Sequence, residues 1–516
     1  MIRISSLRSW GTWGLILFVI GAGFLLRAAY YHEPYGHPDE VIAVEVVKHL
    51  RTAGDWDTNW AHAALPGKWR YDQYNFSSYL YATYGFAVVT RLVPGLADWS
   101  AAADGYWAYR FFSAVLGAVV VWQTWQLARR LAGDAAGIAA GALVAVAPLM
   151  VQDAHYARPE AFVTVLTLLA VRWALGADGK LSRVFACAVV VGVLVACKVS
   201  FLLLAWLPLL GLGPTAMTTR PRWVPGALAT ICGVLAGFAL GAPQAVLHPG
   251  AFWHGVGELA AQYAGVQAPY SPVEGGPVAG MMAAYLFATL GWPLLLVGAV
   301  GAVELARARR WRELIVLGGP MVFFAGYFAT RSVFFERNLS QVLPLGCILG
   351  GIGVTAIAGR LVRQKPAYLR WAVLLLVLLA LLRPASVTAR LVGFGFSRAG
   401  EEPRKQLEAN LRSTHPGTGW AEVSPLNDAP LEELVRYFAE GGAPLLLAVR
   451  DTGDPWSTAL GRSLLRRFDA AVVATEPGLF ADLPFSTLQV YVSQNWTYYL
   501  VRGPSRSGSS PATKAP

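Results

Sequence analysis

Long apolar runs occupy most of the first 390 residues, and short polar stretches separate them. We assign eleven runs to membrane-spanning helices, although several are shorter than the about 20 residues that a perpendicular helix needs. The fifth and sixth form one apolar block that is broken at Lys198. The predicted spans are 12–30, 107–128, 134–151, 160–176, 183–199, 200–213, 224–246, 280–303, 313–330, 339–359 and 368–388. The pattern therefore predicts a polytopic α-helical membrane protein.

The segment "YNFSSYLYATYGFAVV", which starts at Tyr74, is apolar enough to suggest one more span. As a span it would reverse the side of every later loop, and it is rich in Tyr and Ser. We predict instead an amphipathic helix at the membrane surface, because aromatic rings favour the headgroup layer.

The pattern changes after residue 389, where charged residues become frequent and short apolar runs alternate with turns. We predict strands in "APLLLAVRD", "AAVVATE", "STLQVYV" and "TYYLVR", with a helix in "PLEELVRYFAE". The predicted domains are a membrane domain at 1–390, a soluble α/β domain at 391–503 and a disordered tail at 504–516.

The composition agrees with a membrane protein, since 55% of the 516 residues are hydrophobic and 14% are charged, against about 25% charged residues in soluble domains. The net charge of +11 is explained by basic loops on one side of the membrane, so it does not indicate a nucleic-acid partner. The four cysteines lie inside apolar runs and lack the spacing of metal ligands or of a disulfide framework.

The positive-inside rule orients the spans with the N-terminus in the cytoplasm. Every predicted inner loop is then short and basic, with Arg3, Arg8, Arg129, Arg130, Lys180, Arg183, Arg220, Arg222, Arg307, Arg309, Arg310, Arg312, Arg360, Arg363, Lys365 and Arg370. The opposite face receives the long loop at 31–106 and, because the span count is odd, the C-terminal domain. The Ala-, Gly-, Leu- and Arg-rich composition suits a bacterium. We therefore expect a multi-pass protein of a bacterial inner membrane whose C-terminal domain is extracytoplasmic.

The first outer loop carries the motif "HPDE" just after the first span. Pro38 suits the first position of a helix, and Asp39 and Glu40 suit its positive end, so a plain helix start explains the motif as well as an active site does. The alternative is a catalytic base at the lipid–water boundary, where partial desolvation raises basicity. We expect Asp39 to be that base with Glu40 as its partner, and His37 to be a sugar or acceptor ligand.

A second polar motif, "VQDAHYARPEAF", lies between two predicted spans. It contains Asp153, His155, Arg158 and Glu160. An ion pair between Asp153 and Arg158 at the two helix ends would explain it structurally. The functional alternative is a polar rim for a sugar or phosphate, in which Arg158 offers a bidentate fork.

Three further cations lie on the predicted outer side. Lys198 interrupts a long apolar block, where a charge is costly and indicates function, although snorkelling of its amine towards water is the plain alternative. Arg331 and Arg337, in "TRSVFFERNLSQVLP", run against the positive-inside trend. Pairing with Glu336 would explain them, and so would binding of an anionic lipid headgroup. We expect all three to bind a lipid phosphate.

Several common catalytic motifs are absent from the sequence. It has no Walker A loop, no glycine-rich dinucleotide fingerprint, no His-Glu-x-x-His and no Gly-x-Ser-x-Gly elbow. The eight histidines form no zinc pattern. We expect no cofactor and no essential metal, although a non-essential divalent cation is compatible with the sequence.

The order of these motifs resembles the GT-C superfamily of membrane glycosyltransferases. The nearest resemblance is to bacterial members of the protein-mannosyltransferase-like family 39, to which the aminoarabinose transferase of lipid A also belongs. It rests on "HPDE" after the first span, the long outer loop, and the runs "LGAVVVWQTWQLARRLAG", "ACKVSFLLLAWLPL" and "FERNLSQVLPLGCILGGIG". It covers about residues 10–390 and implies a GT-C-like fold.

The resemblance implies an inverting transferase that takes a sugar from a polyprenyl-phosphate carrier on the outer face. Asp39 matches the position of the base, and Lys198 and Arg337 match positions near the donor phosphate. The family often has Arg-Tyr at the late motif, whereas this chain has Arg337 followed by Asn338, which leaves that local contact open.

The resemblance also implies that Asp153 and Arg158 lie in the loop that shapes the sugar and acceptor site. A carboxylate base and cations at the departing phosphate suffice for such a transfer. The expected partners are the polyprenyl-phosphate sugar and membrane lipids, with a lipid, a protein or a polysaccharide as acceptor, and the protein is expected to be a monomer.

Two other functions use similar features. A flippase or transporter of lipid-linked sugars would need polar sites on both faces, but the unusual polar segments gather on one predicted face. A polymerase or ligase of lipid-linked glycans remains an open alternative.

Overall fold

The computed structural model describes residues 10–29, 37–212, 220–267, 270–272, 274–363, 368–397, 401–423, 430–451, 455–478, 482–483 and 495–505. Several sequence predictions lie outside these residues, namely the inner-loop cations Arg3, Arg8 and Lys365, the strand "STLQVYV" and most of the C-terminal tail. The described chain is mostly helical and has a small C-terminal sheet. The predicted fold class, a polytopic helical protein with a C-terminal α/β domain, is therefore confirmed.

The helices, numbered in chain order, have the following bounds. They are α1 Trp10–Ala28, α2 Glu40–Ala53, α3 Ser77–Leu92, α4 Ala97–Ala101, α5 Tyr106–Ala132, α6 Asp134–Ala145, α7 Pro148–Ala154, α8 Glu160–Gly176, α9 Leu181–Cys197, α10 Arg220–Gly241, α11 Pro243–Leu247, α12 Pro249–Ala264, α13 Ala279–Arg307, α14 Trp311–Ala329, α15 Leu343–Arg363, α16 Tyr368–Ser397, α17 Glu401–Thr414, α18 Pro430–Ala439 and α19 Pro455–Arg467. Six short 3₁₀ segments join them, at Trp60–His62, Gly67–Trp69, Ala102–Gly105, Val199–Leu204, Leu207–Leu212 and Glu336–Leu339.

Six helical segments among the described residues are long and apolar enough to cross a membrane, or seven if the bent pair α6 and α7 is one span. Three shorter apolar segments, 13–28, 181–197 and 199–212, coincide with other predicted spans. The chain is therefore a multi-pass membrane protein, and the count of eleven spans stays a prediction.

Local geometry differs from regular spans at two places. The predicted span 134–151 bends by 59° between α6 and α7, where Pro148 begins a new helix and cannot donate a hydrogen bond to the preceding turn. The predicted span 200–213 consists of two 3₁₀ segments after Lys198, whose extended backbone ends α9. A continuous apolar run does not distinguish these geometries from a straight helix.

The chain divides into two compact units. The first comprises residues 1–261, 289–327 and 337–392, and the second comprises 262–288, 328–336 and 393–516. Within the first unit, α5 packs against α1, α6 and α8, and α10 packs along α9. Gly237 permits the second contact, because a β-carbon there would collide with the backbone of Val189.

The long first loop is itself helical, since it contains α2, α3 and α4. The segment from Tyr74 forms α3, as its sequence predicts. The backbone amide of Phe76 donates to the carbonyl oxygen of Cys197 at 2.7 Å, so the start of α3 is attached to the end of α9.

The sheet of the second unit consists of β1 Gly419–Val423, β2 Leu445–Asp451, β3 Phe468–Glu476 and β4 Asn495–Pro504, in the order β1-β2-β4-β3. β1 is parallel to β2, and β4 is antiparallel to both of its neighbours. Alternate residues of β2 face opposite sides: Leu447 packs in the core with α18 and α19, whereas Leu446 packs in the core with Leu411 of α17. Helices therefore cover both faces of this sheet.

Candidate active site

Asp39 precedes α2, but its side chain does not cap that helix. Its carboxylate oxygen Oδ2 lies instead 2.7 Å from Nη1 of Arg337, which is 298 residues later in the chain. The Asp39 side chain is 12% exposed, so this ion pair is reachable from solvent but largely shielded. The two motifs that the sequence offers as base and phosphate ligand are thus in direct contact.

Glu40 has a different environment from its neighbour, because it is fully buried. Its two carboxylate oxygens accept from Nε and Nη2 of Arg110 in α5, at 2.7 and 2.8 Å. They also accept from the backbone amides of His37 and Ala157, both at 2.7 Å. Glu40 therefore joins the turn that carries Asp39 to α5 and to the loop before α8.

His37 contacts Asp39 through its ring. Its Nδ1 accepts from the backbone amide of Asp39 at 3.1 Å, so the ring proton of the neutral form is on Nε2. Burial, followed by the charge of Arg158, holds the pKa of His37 well below its usual value. His37 is therefore a neutral group at pH 7 that positions the Asp39 turn.

A second group of charges surrounds Glu160 at the start of α8. Its Oε1 lies 2.9 Å from Nζ of Lys198 and 3.1 Å from Nη2 of Arg158. The Lys198 ammonium also lies 5.6 Å from the centre of the Phe76 ring, within reach of a cation–π interaction. Lys198 is thus held towards Glu160 by an ion pair, and Arg158 has an ion-pair partner in its own motif.

The two groups act on each other electrostatically. Burial opposes ionisation of Asp39, but the charge of Arg337, followed by the electrostatic interactions with His37 and Arg158, outweighs it and lowers the pKa of Asp39 to about 2. Glu160 opposes this shift. Asp39, Arg337, Arg158, Glu160 and Lys198 therefore form one charged cluster, called the charged cluster below.

Asp153 and His155 lie at the end of α7. Ser340, between the 3₁₀ segment of Arg337 and α15, donates a hydrogen bond to Oδ2 of Asp153. His155 contacts the carbonyl oxygen of Val151 through Nδ1 at 2.8 Å. Both side chains are buried. Asp153 thus contacts the segment that carries Arg337.

Arg331 belongs to the second compact unit, unlike the rest of the predicted site. Its backbone carbonyl accepts from the amide of Val278 at 3.0 Å within that unit. Its assignment as a phosphate ligand stays a prediction.

Two buried arginines were not among the predicted site residues. Arg110 is one, and Arg27 at the end of α1 is the other, with 0% exposure. Arg27 donates to the carbonyls of Val144 and Ala145, both at 2.9 Å, where α6 ends at the bend before α7. Gly117 leaves the space, because a β-carbon there would collide with Arg27. An arginine within an apolar run is the sequence signal that could have found both.

No group of three or more His, Cys, Asp or Glu side chains in the described ranges is arranged to hold a metal ion. The charged cluster has three cations and two carboxylates, so it suits an anionic ligand better than a metal. The expectations of no cofactor and no essential metal stay predictions.

Comparisons with known proteins give one family and several structures. Residues 100–246 match the family described as dolichyl-phosphate-mannose-protein mannosyltransferase. No curated protein matches the chain at a significant level.

Among solved structures, ArnT from Cupriavidus metallidurans resembles the chain in two states. The apo state has 16% sequence identity over 95% of this chain and 98% of ArnT, with a TM-score of 0.50. The form bound to undecaprenyl phosphate has 15% identity over 94% of this chain and 98% of ArnT, again with a TM-score of 0.50.

The apo oligosaccharyltransferase of Archaeoglobus fulgidus has 11% identity over 80% of this chain, with a TM-score of 0.51. The chain spans 59% of the length of that archaeal protein. At such identities the structural likeness concerns the fold, and the residues of the site have to be judged on their own geometry.

Proposed function

We propose that this chain is a membrane glycosyltransferase of the GT-C superfamily, and that it transfers a sugar from a polyprenyl-phosphate carrier to an acceptor hydroxyl with inversion. One observation carries the proposal: the Asp39 carboxylate contacts Arg337 within a charged cluster that also contains Arg158 and Lys198. The structure of ArnT bound to undecaprenyl phosphate supports the proposal, because a polyprenyl phosphate is an anion of the kind that this cluster suits.

The proposed reaction is a single displacement. The acceptor oxygen attacks the anomeric carbon of the sugar and forms the new glycosidic bond, while the bond from that carbon to the phosphate oxygen breaks. The electron pair leaves with the polyprenyl phosphate, and the acceptor proton goes to Asp39. Arg337 and Lys198 stabilise the charge on the departing phosphate, and Asp39 supplies general-base catalysis.

A carboxylate with a pKa of about 2 is a weak base, so Asp39 is not in its reactive state while it is paired with Arg337. We infer that the donor phosphate attracts the Arg337 guanidinium away from Asp39. Asp39 then loses the cation that depresses its pKa, while burial, which raises the pKa, remains. Donor binding would thereby make Asp39 a stronger base only when a sugar is present.

The reaction is proposed for the outer face of a bacterial inner membrane, because the charge distribution of the loops favours that side for the site. The test of the function uses purified protein in liposomes with a panel of polyprenyl-phosphate sugars. Inverted glycoside and free polyprenyl phosphate are the expected products. Scrambling of the lipid-linked sugar across the bilayer without any transfer would contradict the proposal and favour a flippase.

Removal of Arg337 provides a pH test of the Asp39–Arg337 contact. The pKa of Asp39 is depressed in the folded protein. Protonation of Asp39 should therefore lower the wild-type kcat/KM only when the pH approaches about 2. In Arg337→Gln the cation is gone and burial raises the pKa, so we expect the acid limb of kcat/KM to move up by about 1 to 3 pH units. The shape of the pH–rate profile is informative even though the rate itself falls. An acid limb at the same pH in both proteins would contradict the coupling.

Substitution of Lys198 tests the phosphate site. We expect Lys198→Met to weaken polyprenyl-phosphate binding by about tenfold, because a charge-assisted contact is lost, and Lys198→Arg to restore most of it. Binding isotherms in detergent measure the effect, with Lys48→Met on the exposed side of α2 as the matched control. Unchanged affinity in Lys198→Met would leave Lys198 as a structural partner of Glu160 only.

A further inference from the structure

The end of α5 that lies away from the charged cluster contains an open cavity. Its volume is about 330 Å³, and it is lined by Gln126, Leu127, Arg129, Arg130 and Arg172. About 30 Å of helix separate Arg130 from Arg110 at the other end of α5, at 1.5 Å per residue. The cavity is therefore a different site from the one proposed for sugar transfer.

The charge in this cavity is positive and mostly uncompensated. Arg129 is paired with Asp134 at 2.6 Å. Within the described part of the chain, Arg130 has no ion-pair partner, and Arg172 donates only to the neutral Oε1 of Gln126 at 3.0 Å. Two guanidinium groups thus lie in one cavity whose lining includes no carboxylate, an arrangement that favours the binding of an anion.

The ends of the helices explain these cations only in part. Arg130 lies in the last turn of α5, where its charge favours the helix dipole, but within the described residues it donates no hydrogen bond to a carbonyl group. Arginines near a helix C-terminus often serve its carbonyl groups and its dipole. Here Arg310 already donates to the carbonyl of Leu131 in α5 at 2.9 Å, and Arg312 donates to that of Ala174 in α8 at 2.7 Å. Arg172 is also outside the last turn of α8. Arg130 and Arg172 therefore remain available to a ligand.

One exposed aromatic side chain lies beside the cavity on α5. Trp122 is 39% exposed, and it lies one turn before Gln126 on the same side of α5. The chain crosses the membrane. A lipid whose phosphate contacts the arginines could thus place its hydrocarbon chain beside Trp122 on α5.

We propose that the cavity binds the phosphodiester headgroup of an anionic membrane phospholipid, with Arg130 and Arg172 as its ligands and the acyl chains beside Trp122. Arginine suits this role because its planar guanidinium donates two hydrogen bonds to a phosphate, and basic pockets between membrane helices bind acidic headgroups. The site does not depend on the sugar-transfer proposal, because none of these residues belongs to the charged cluster.

The test counts bound lipids on delipidated full-length protein by native mass spectrometry. Phosphatidylglycerol is titrated against wild type, Arg130→Gln/Arg172→Gln and a control double variant, Arg307→Gln/Arg309→Gln, which removes two exposed arginines outside the cavity. We expect the first phosphatidylglycerol to bind wild type and the control alike, and to bind the cavity variant at least about tenfold more weakly. All substituted side chains are exposed or at the cavity rim, so the melting temperature should not change.

Two further arms distinguish the source of the phosphate. Zwitterionic phosphatidylcholine should bind wild type no better than the cavity variant, and inorganic phosphate at equal concentration should not displace phosphatidylglycerol. Equal binding of phosphatidylglycerol to wild type and cavity variant would overturn the site. Displacement by inorganic phosphate would overturn the lipid assignment.

Discussion

Replacement of Asp39 by Asn is expected to reduce the rate of sugar transfer by about 10²- to 10⁴-fold, the usual contribution of a general base. Asparagine has nearly the same shape as aspartate but does not take a proton at neutral pH. The substitution also removes the negative charge that pairs with Arg337 at 2.7 Å. That arginine is then free to contact the donor phosphate, so donor affinity should be unchanged or higher while turnover is lost.

The matched control for this prediction is Glu45→Gln, which removes a carboxylate from the same helix α2 outside the charged cluster. We expect its turnover to stay within about twofold of wild type, since substitutions away from such features have small effects. Turnover and donor binding are measured separately on each protein with the donor that wild type uses. Turnover in Asp39→Asn within a few-fold of wild type would exclude Asp39 as the base, whatever happens to binding.

The sequence was sufficient to find the motifs of Asp39 and Arg337, but not their contact. Each motif has a local signal: the acidic pair of Asp39 and Glu40 follows an apolar span, and Arg337 runs against the charge distribution of the loops. Their pairing depends on how chain segments 298 residues apart meet, and neither propensity nor periodicity contains that information. The sequence-based ion pairs for Arg158 and Arg337 named neighbours in the chain, whereas the observed partner of Arg337 is distant.

Arg27 and Arg110 were missed for a related reason. Each lies near the end of an apolar run, where an arginine is commonly explained by snorkelling to the interface. Their partners are a helix end at Val144 and Ala145 and the buried carboxylate of Glu40. Neither partner is recognisable without the fold, since the backbone carbonyls become available only because α6 ends there, at the bend before α7.

The C-terminal sheet shows the same limit at the level of strands. The apolar runs of β2, β3 and β4 are alternating or continuous, and they predict strands correctly. β1, "GWAEV", was missed because Gly and Glu are poor strand formers, and its position depends on pairing with β2. The order of the strands follows from packing and not from any one segment.

The second large predicted effect is the loss of stability when the ion pair between Glu40 and Arg110 is broken. We expect Glu40→Gln and Arg110→Met each to lower the free energy of unfolding by about 3–5 kcal/mol, because either change leaves a buried charge without its partner. Glu40 is fully buried and also binds the amides of His37 and Ala157. Its loss should therefore also misplace Asp39 and reduce turnover, through position and not through proton transfer.

The exposed pair of Asp134 and Arg129 provides the matched control, since both side chains are about 40% exposed at a similar separation of 2.6 Å. Asp134→Asn should cost less than about 1 kcal/mol, as surface ion pairs do. The double variant Glu40→Gln/Arg110→Met should be less destabilised than the sum of the single variants, because it contains no unpaired charge. Unfolding by denaturing detergent in mixed micelles measures wild type and the four variants. If Glu40→Gln were as mild as Asp134→Asn but still lacked turnover, Glu40 would not be the support of the Asp39 turn, and its predicted catalytic partnership with Asp39 would be the better explanation.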